Sequence, residues 1–332
     1  GKLMKDNERS RLKGFNIDYE EHFQGYKGEV EEASYAASLL GFELIKEKIR
    51  YSDFKELIEN YSFYQDDLLG DEVGIPLYFL GKITHASGIK VVQVGEGADE
   101  LFYGYDHWLR FMKVSKYFKP VVSHRSHLMD FKSHRLNLAS NMLFNRTSFA
   151  GGALGFNLAE LNQMIDGGVP KDSELIYYVD NKWDDYFQSK EANLVKWMTL
   201  IDLKIRLPEL LLMRMDKLTM QSAVEARVPF LDHKLVEYVL SIPEHIIFDT
   251  KITKPLLKEV ARRHLPDQII NRKKQGFRAP IGEWLKKDEQ YYYESIKEFN
   301  LLVNLFSEKE INRILAANDF QKKWYLVNLA RW

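Results

Sequence analysis

The chain has 332 residues, of which 45% are hydrophobic and 29% charged, with a formal net charge of -1. Length and apolar content suffice for a substantial core, in one large domain or two ordinary ones. Near-neutrality gives no general grip on nucleic acid, which needs a basic face or stripe. The absence of cysteine excludes disulfides, thiolate metal sites and a cysteine nucleophile within these residues. No apolar run approaches the roughly 20 residues that cross a bilayer, and Gly1-Lys2-Leu3-Met4-Lys5 is not a signal peptide. A cysteine-free chain of this kind fits a reducing cytoplasm.

In chain order, Gly14 to Tyr19 predicts a short strand, with Phe15, Ile17 and Tyr19 alternating. A helix follows, with Val30, Ala33, Ala37 and Leu40 on one face and Gly41 as its stop. Glu43 to Ile49 reads as a second strand, and Ser52 as the cap of a helix from about Asp53. Ile75 to Ala86 predicts another helix ending near Gly88, and the β-branched run Ile89 to Val94 a third strand. Strands alternating with helices argue for a parallel sheet in an α/β layer. After Tyr105 the strand signals fade into amphipathic stretches, including Glu191 to Lys204 and Glu209 to Ala223, with Pro208 suited to the first turn of the second. Gly151-Gly152 and Gly167-Gly168 punctuate the middle as loops or helix ends.

Three segments carry chemistry. Gly95-Glu96-Gly97-Ala98-Asp99-Glu100-Leu101-Phe102 directly follows the third strand. Its glycines permit a tight turn and close backbone approach to a ligand, the following helix offers free N–H groups to an anion, and Asp99 is a hard oxygen ligand suited to magnesium. A glycine turn with acids at a helix start is the plain alternative. The second segment, Arg214-Met215-Asp216-Lys217-Leu218-Thr219-Met220, leads into Val224-Glu225-Ala226-Arg227-Val228-Pro229-Phe230-Leu231-Asp232. Glu225 and Arg227 lie there in an apolar stretch, where a buried charge needs a partner or a ligand; a local ion pair between the two is the competing reading. The third segment is Asn271-Arg272-Lys273-Lys274-Gln275-Gly276-Phe277, in which a lysine beside a glycine can approach phosphate as a point charge. Taken alone it reads as solvated surface.

In order and spacing these segments resemble the synthetase domain of the asparagine synthetase family, with its GEGADELF-like loop, D-(R/K)-x-(S/T)-M helix, VExRVPFLD segment and later R-x-K-x-G-F segment. Glu31 to Ala36 and Asp66 to Asp71 strengthen the resemblance, which runs from about Gly14 to Trp332 and is weakest in the middle. It implies a parallel-sheet ATP pyrophosphatase-like (PP-loop) core over residues 1–110, followed by a mainly helical part over 111–332 that completes the site. It also implies ATP and Mg2+, aspartate as acceptor, a β-aspartyl-AMP intermediate, and ammonia from a glutaminase domain. By matching positions, Ile17 touches adenine, while Gly95, Glu96 and Gly97 face the nucleotide. Asp99 binds magnesium, Glu96 and Glu225 orient the amino acid with Arg227 in support, and Lys274 neutralises pyrophosphate and adenylate. The resemblance also allows a homodimer.

Departures are visible. The family's S-G-G-x-D-S phosphate loop, the strand before it and the glutaminase domain fall outside these 332 residues; the loop is expected just upstream of a chain whose first residue is not methionine. A sheet without that strand is expected to be incomplete. The family's histidine pair is replaced around Glu43 and Leu44, and a proline expected after Asp67 is Leu68. Two other functions stay open: a β-lactam synthetase-like ligase or amidotransferase on another carboxylate, and a fold-retaining scaffold without catalysis. Glu96 favours the first reading over the cyclising relatives, which resemble one another in having tyrosine there.

Overall fold

The computed structural model describes residues 12–21, 30–117, 134–143, 149, 155–170, 173–190, 192–272 and 276–332. Strand β1 (Lys13–Tyr19) buries Ile17 and Tyr19 on one face, as the alternation requires. Helix α1 (Val30–Leu40) follows, its Ala37 buried, and it stops at Gly41, whose φ of 66° is the left-handed value that glycine adopts without a Cβ penalty. Strand β2 (Glu43–Ile49) then pairs with β1 in parallel, Ile17 opposite Glu47. Helix α2 (Tyr51–Ile58) begins two residues before the predicted start. Ser52 therefore lies in its first turn and does not cap it; the Asp53 carboxylate accepts the Arg50 N–H at 2.8 Å instead. Helix α3 (Gly74–Ala86) ends at Ser87 and Gly88 and packs on both strands.

Strand β3 (Val91–Gln93) is shorter than its apolar run. Its partner comes from the far side of the sequence: β4 (Glu225–Arg227) lies parallel to it, with Val91 opposite Glu225 and Gln93 opposite Arg227. The described strands thus form two separate parallel pairs, β1–β2 and β3–β4, where one sheet is predicted. A cavity of about 600 Å³ separates them, lined by Lys13, Gly14 and Phe15 of β1 and by Val91, Val92 and Gln93 of β3. Leu80 and Gly81 of α3 and Met215 and Thr219 of a later helix also line it.

The helical half departs from prediction at a proline. Helix α4 (Leu194–Ile201) runs without a break into a π-helical segment, Asp202–Leu212, and then into α5 (Met213–Met220). Pro208 sits inside the π-helical segment and starts no new helix. A proline has no N–H and its ring crowds the carbonyl four residues back; the wider π turn carries the chain past that conflict without ending it. Two hydrophobic clusters result. The first joins β1, α2 and α3 to Trp284, Tyr292 and Trp324 from the last helices of the chain. The second gathers Trp108, Trp183, Trp197 and Met198 from the middle. Among the described residues no helix is long and apolar enough to cross a membrane.

Candidate active site

The turn after β3 concentrates acid. Gly97 has a φ of 87°, and a Cβ there would meet the Leu231 side chain at 2.3 Å, so backbone conformation and close approach both require glycine. Gly95 is the opposite case: it is exposed, and a Cβ on it would meet nothing within 4 Å. Between and after these glycines stand Glu96, Asp99 and Glu100, the last two opening the short helix Ala98–Phe102.

Each of the three carboxylates faces a cation from a different element. Glu96 lies 3.6 Å from Arg214 of α5, Asp99 lies 2.8 Å from Lys254, and Glu100 lies 3.7 Å from Arg206 of the π-helical segment. Arg206 is also bound by Asp202 at 2.8 Å and stacks 4.9 Å from the centre of the Tyr105 ring, whose hydroxyl donates to Glu100. Lys254 is fixed by its own backbone, with a φ of 52° and its N–H donated to the Tyr103 carbonyl at 3.3 Å. Burial pushes the Glu96 carboxyl above the usual range, and the Arg214 guanidinium opposes that shift. A buried carboxylate needs such a counter-charge to stay ionised.

The motif helix α5 is clasped from a second direction. Arg214 pairs with Asp71 as well as Glu96, and Lys217 pairs with Asp66 at 2.9 Å. Residues 214 and 217 lie three apart and so share one helix face, and the 66–71 stretch lies along that face. Two sequence-remote segments therefore meet at one wall, with Arg214 joining both to the glycine turn.

The other predicted residues fall differently. Ile17 is 1% exposed and its side chain belongs to the first hydrophobic cluster, leaving only its backbone for any ligand. Glu225 and Arg227 are not buried. They sit on the exposed face of β4 and pair with each other at 2.7 Å, because residues two apart on a strand point the same way. The arginine beside it holds the Glu225 carboxyl below the usual range. The structure brings Glu96 to Arg214 and Asp99 to Lys254, but pairs Glu225 away from Glu96, opposite Val91 in the register. Lys274 lies outside the described residues, as do Lys273, Gln275 and Gly151-Gly152. Lys254 is a residue that sequence reasoning missed. Lys254-Pro255 reads locally as a helix start, and only the fold brings it to Asp99.

A second cavity, of about 690 Å³, adjoins this charged frame. Asp71, Glu72, Arg206 and Arg278 line it together with apolar and aromatic side chains. Among the described residues no group of three or more His, Asp or Glu is placed to hold a metal by itself.

Comparison with known proteins accounts for the segments together. The family model described as asparagine synthase matches residues 2–332. The chain is 29% identical over 292 residues to asparagine synthetase [glutamine-hydrolyzing] 1 of Bacillus subtilis (strain 168), covering 86% of this chain and 45% of that protein. It is also 29% identical over 295 residues to a putative asparagine synthetase [glutamine-hydrolyzing] of Mycobacterium tuberculosis (strain H37Rv), covering 84% and 43%. Amidase chry2 of Gibberella zeae is 25% identical over 312 residues, covering 83% and 44%. The chain thus spans less than half the length of these relatives. With a glycine-acid turn backed by three cations and a family match over nearly its whole length, the chain belongs to the asparagine synthase family.

Proposed function

We propose that this chain is the synthetase part of an enzyme that converts aspartate to asparagine through β-aspartyl-AMP, with ammonia supplied from glutamine by a glutaminase domain. The observation that carries the reading is the Gly95–Glu100 turn, open above Gly95 and ringed by cations. In the first step a side-chain carboxylate oxygen attacks the α-phosphorus of ATP, the bond to the bridging oxygen breaks, and pyrophosphate leaves. In the second, ammonia attacks the acyl carbon, AMP leaves with the oxygen, and one proton is released.

The chain's own residues have separate tasks in this scheme. The open face above Gly95 admits the nucleotide backbone-close, with Gly97 shaping the turn and the Ile17 backbone bordering adenine. Glu96, held by Arg214, orients the acceptor's ammonium group. A magnesium site usually takes one or two carboxylates and fills the rest with phosphate oxygens and water, and the Asp99 carboxylate fits that share; bound there, the ion would offset charge on the phosphates. Lys254 then serves as the counter-charge to Asp99, and Lys274 as a cation for pyrophosphate and adenylate. Glu225 and Arg227 would act from the neighbouring β4 edge.

The gap between β1 and β3 supports the PP-loop reading. It is bounded by a strand edge on each side and by helices, the setting of a further strand that would deliver a phosphate loop to the same end as Gly95. The division into an α/β part (1–110) and a helical part (111–332) belongs to the same proposal, as do a homodimer and a cytoplasmic setting.

Asp99→Asn tests the site. In the full natural chain it should weaken magnesium-dependent ATP binding at least tenfold by calorimetry. Unchanged magnesium-dependent affinity would remove Asp99 from the site.

A further inference from the structure

The 690 Å³ cavity is larger than aspartate requires. Its volume lies within the roughly 300–1,000 Å³ of pockets that enclose drug-sized molecules, and a water occupies about 30 Å³, so it has space for some twenty waters. Phe156, Leu161, Phe277 and Tyr325 are among the side chains that give it a largely apolar wall. Glu72 and Arg278 bring charge to its lining, and so do Asp71 and Arg206.

Asp71 and Arg206 tie the cavity to the proposed reacting centre. Asp71 is bound by Arg214, which lies 3.6 Å from Glu96, and Arg206 lies 3.7 Å from Glu100. The cavity is therefore one ion pair away from the Gly95–Glu100 turn. On another side it is walled by Gly276, Phe277 and Arg278, which follow directly after the segment containing Lys274. Its floor includes Arg206 and Leu210 of the π-helical segment, and such segments recur at functional sites because they re-aim side chains that an α-helix would place elsewhere.

We propose that this cavity holds the non-reacting body of the acceptor, and that the enzyme amidates carboxylates carrying an apolar or aryl group in addition to, or in preference to, free aspartate. This rests on the ligase reading and widens its acceptor. A small, fully charged amino acid has nothing to bury against Phe156, Leu161 and Phe277, and leaving such a wall wet forgoes the favourable transfer of apolar surface out of water. An aryl group reaching from a carboxylate at the turn would displace that water, with Glu72 and Arg278 placed to meet polar substituents.

The test is AMP release by the full natural chain with magnesium, ATP and an ammonium salt, using as acceptors L-aspartate, 3-amino-3-phenylpropionate and the α-benzyl ester of L-aspartate, all of which keep the ammonium group for Glu96. At least one aryl acceptor should equal or exceed aspartate in kcat/KM. Leu161→Trp, which fills the cavity from the helix Leu158–Met164, should lower that value about tenfold, mainly through KM for the acceptor, with KM for ATP unchanged. Leu161→Phe serves if the larger ring lowers the thermal midpoint. Turnover of aspartate alone, or aryl turnover insensitive to both substitutions, would overturn the cavity's role and leave the ligase reading standing. No acceptor-dependent AMP from any carboxylate would sink the ligase reading itself.

Discussion

Glu96 and Glu225 carry the same carboxyl group at two ends of the β3–β4 pair, in opposite settings. Glu96 is held in a half-buried turn by Arg214, a guanidinium that also binds Asp71. Glu225 lies in the open on β4 beside Arg227, each more than half exposed. Both look alike in sequence, as an acid within a motif. What separates them is solvent: a buried pair whose partner is removed leaves an uncompensated charge, whereas an exposed pair exchanges one hydrated state for another. The first arrangement is built into the structure; the second is available to a ligand without unfolding anything.

The sharpest way to break this contrast is Arg214→Met. It strips the counter-charge from Asp71 and Glu96 together and should lower unfolding free energy by roughly 3 kcal/mol in a denaturant titration. A loss no larger than that of a surface substitution would show that the frame is solvated and that the comparison fails.

A smaller, pH-dependent effect is expected at Glu72 on the cavity wall, whose carboxyl burial pushes above its ordinary 4.5. A raised folded-state value means that ionisation costs more in the folded than in the unfolded protein. The associated stability is complete below pH 4.5 and is lost as pH rises through the raised value. Glu72→Gln removes that loss, so its thermal midpoint should exceed the parent's at pH 7 and match it near pH 4. An equal increment at both would place the effect in packing.

The smallest expected change is Arg227→Ala, for which the thermal midpoint should not move measurably, since its partner Glu225 is exposed. A clear destabilisation would mean that β4 depends on the pair, and the contrast would need redrawing.

Much of the fold was legible locally. β2 has the predicted bounds of Glu43 to Ile49, and Gly41 and Gly88 stop their helices with positive φ as their chemistry requires. These features rest on contacts between residues a few positions apart, which alternation and glycine placement encode directly. Pro208 misled for an instructive reason. The usual α-helix cannot accept it, but the helices before and after run on through the segment, which stays helical at a π pitch. The continuity of the flanking helices outweighed a local preference.

The site divides in the same way. The acid-glycine turn, Asp99 and the motif helix could be named from spacing because they lie on short contiguous segments. Lys254 could not, and neither could the double role of Arg214, because their partners are remote in the chain and an ion pair leaves no periodic trace in sequence. The burial expected for Glu225 and Arg227 was wrong because an apolar stretch shows that some side chains go inward, but the strand's pairing decides which face they take. By itself, then, the sequence determined most elements of the first hundred residues, the glycine turn and the family, all of which depend on residue order over short distances. The tertiary structure alone decided which cation meets which carboxylate, which acids lose their water, and where a cavity opens beside them, because each of these depends on segments that only folding brings within a few ångströms.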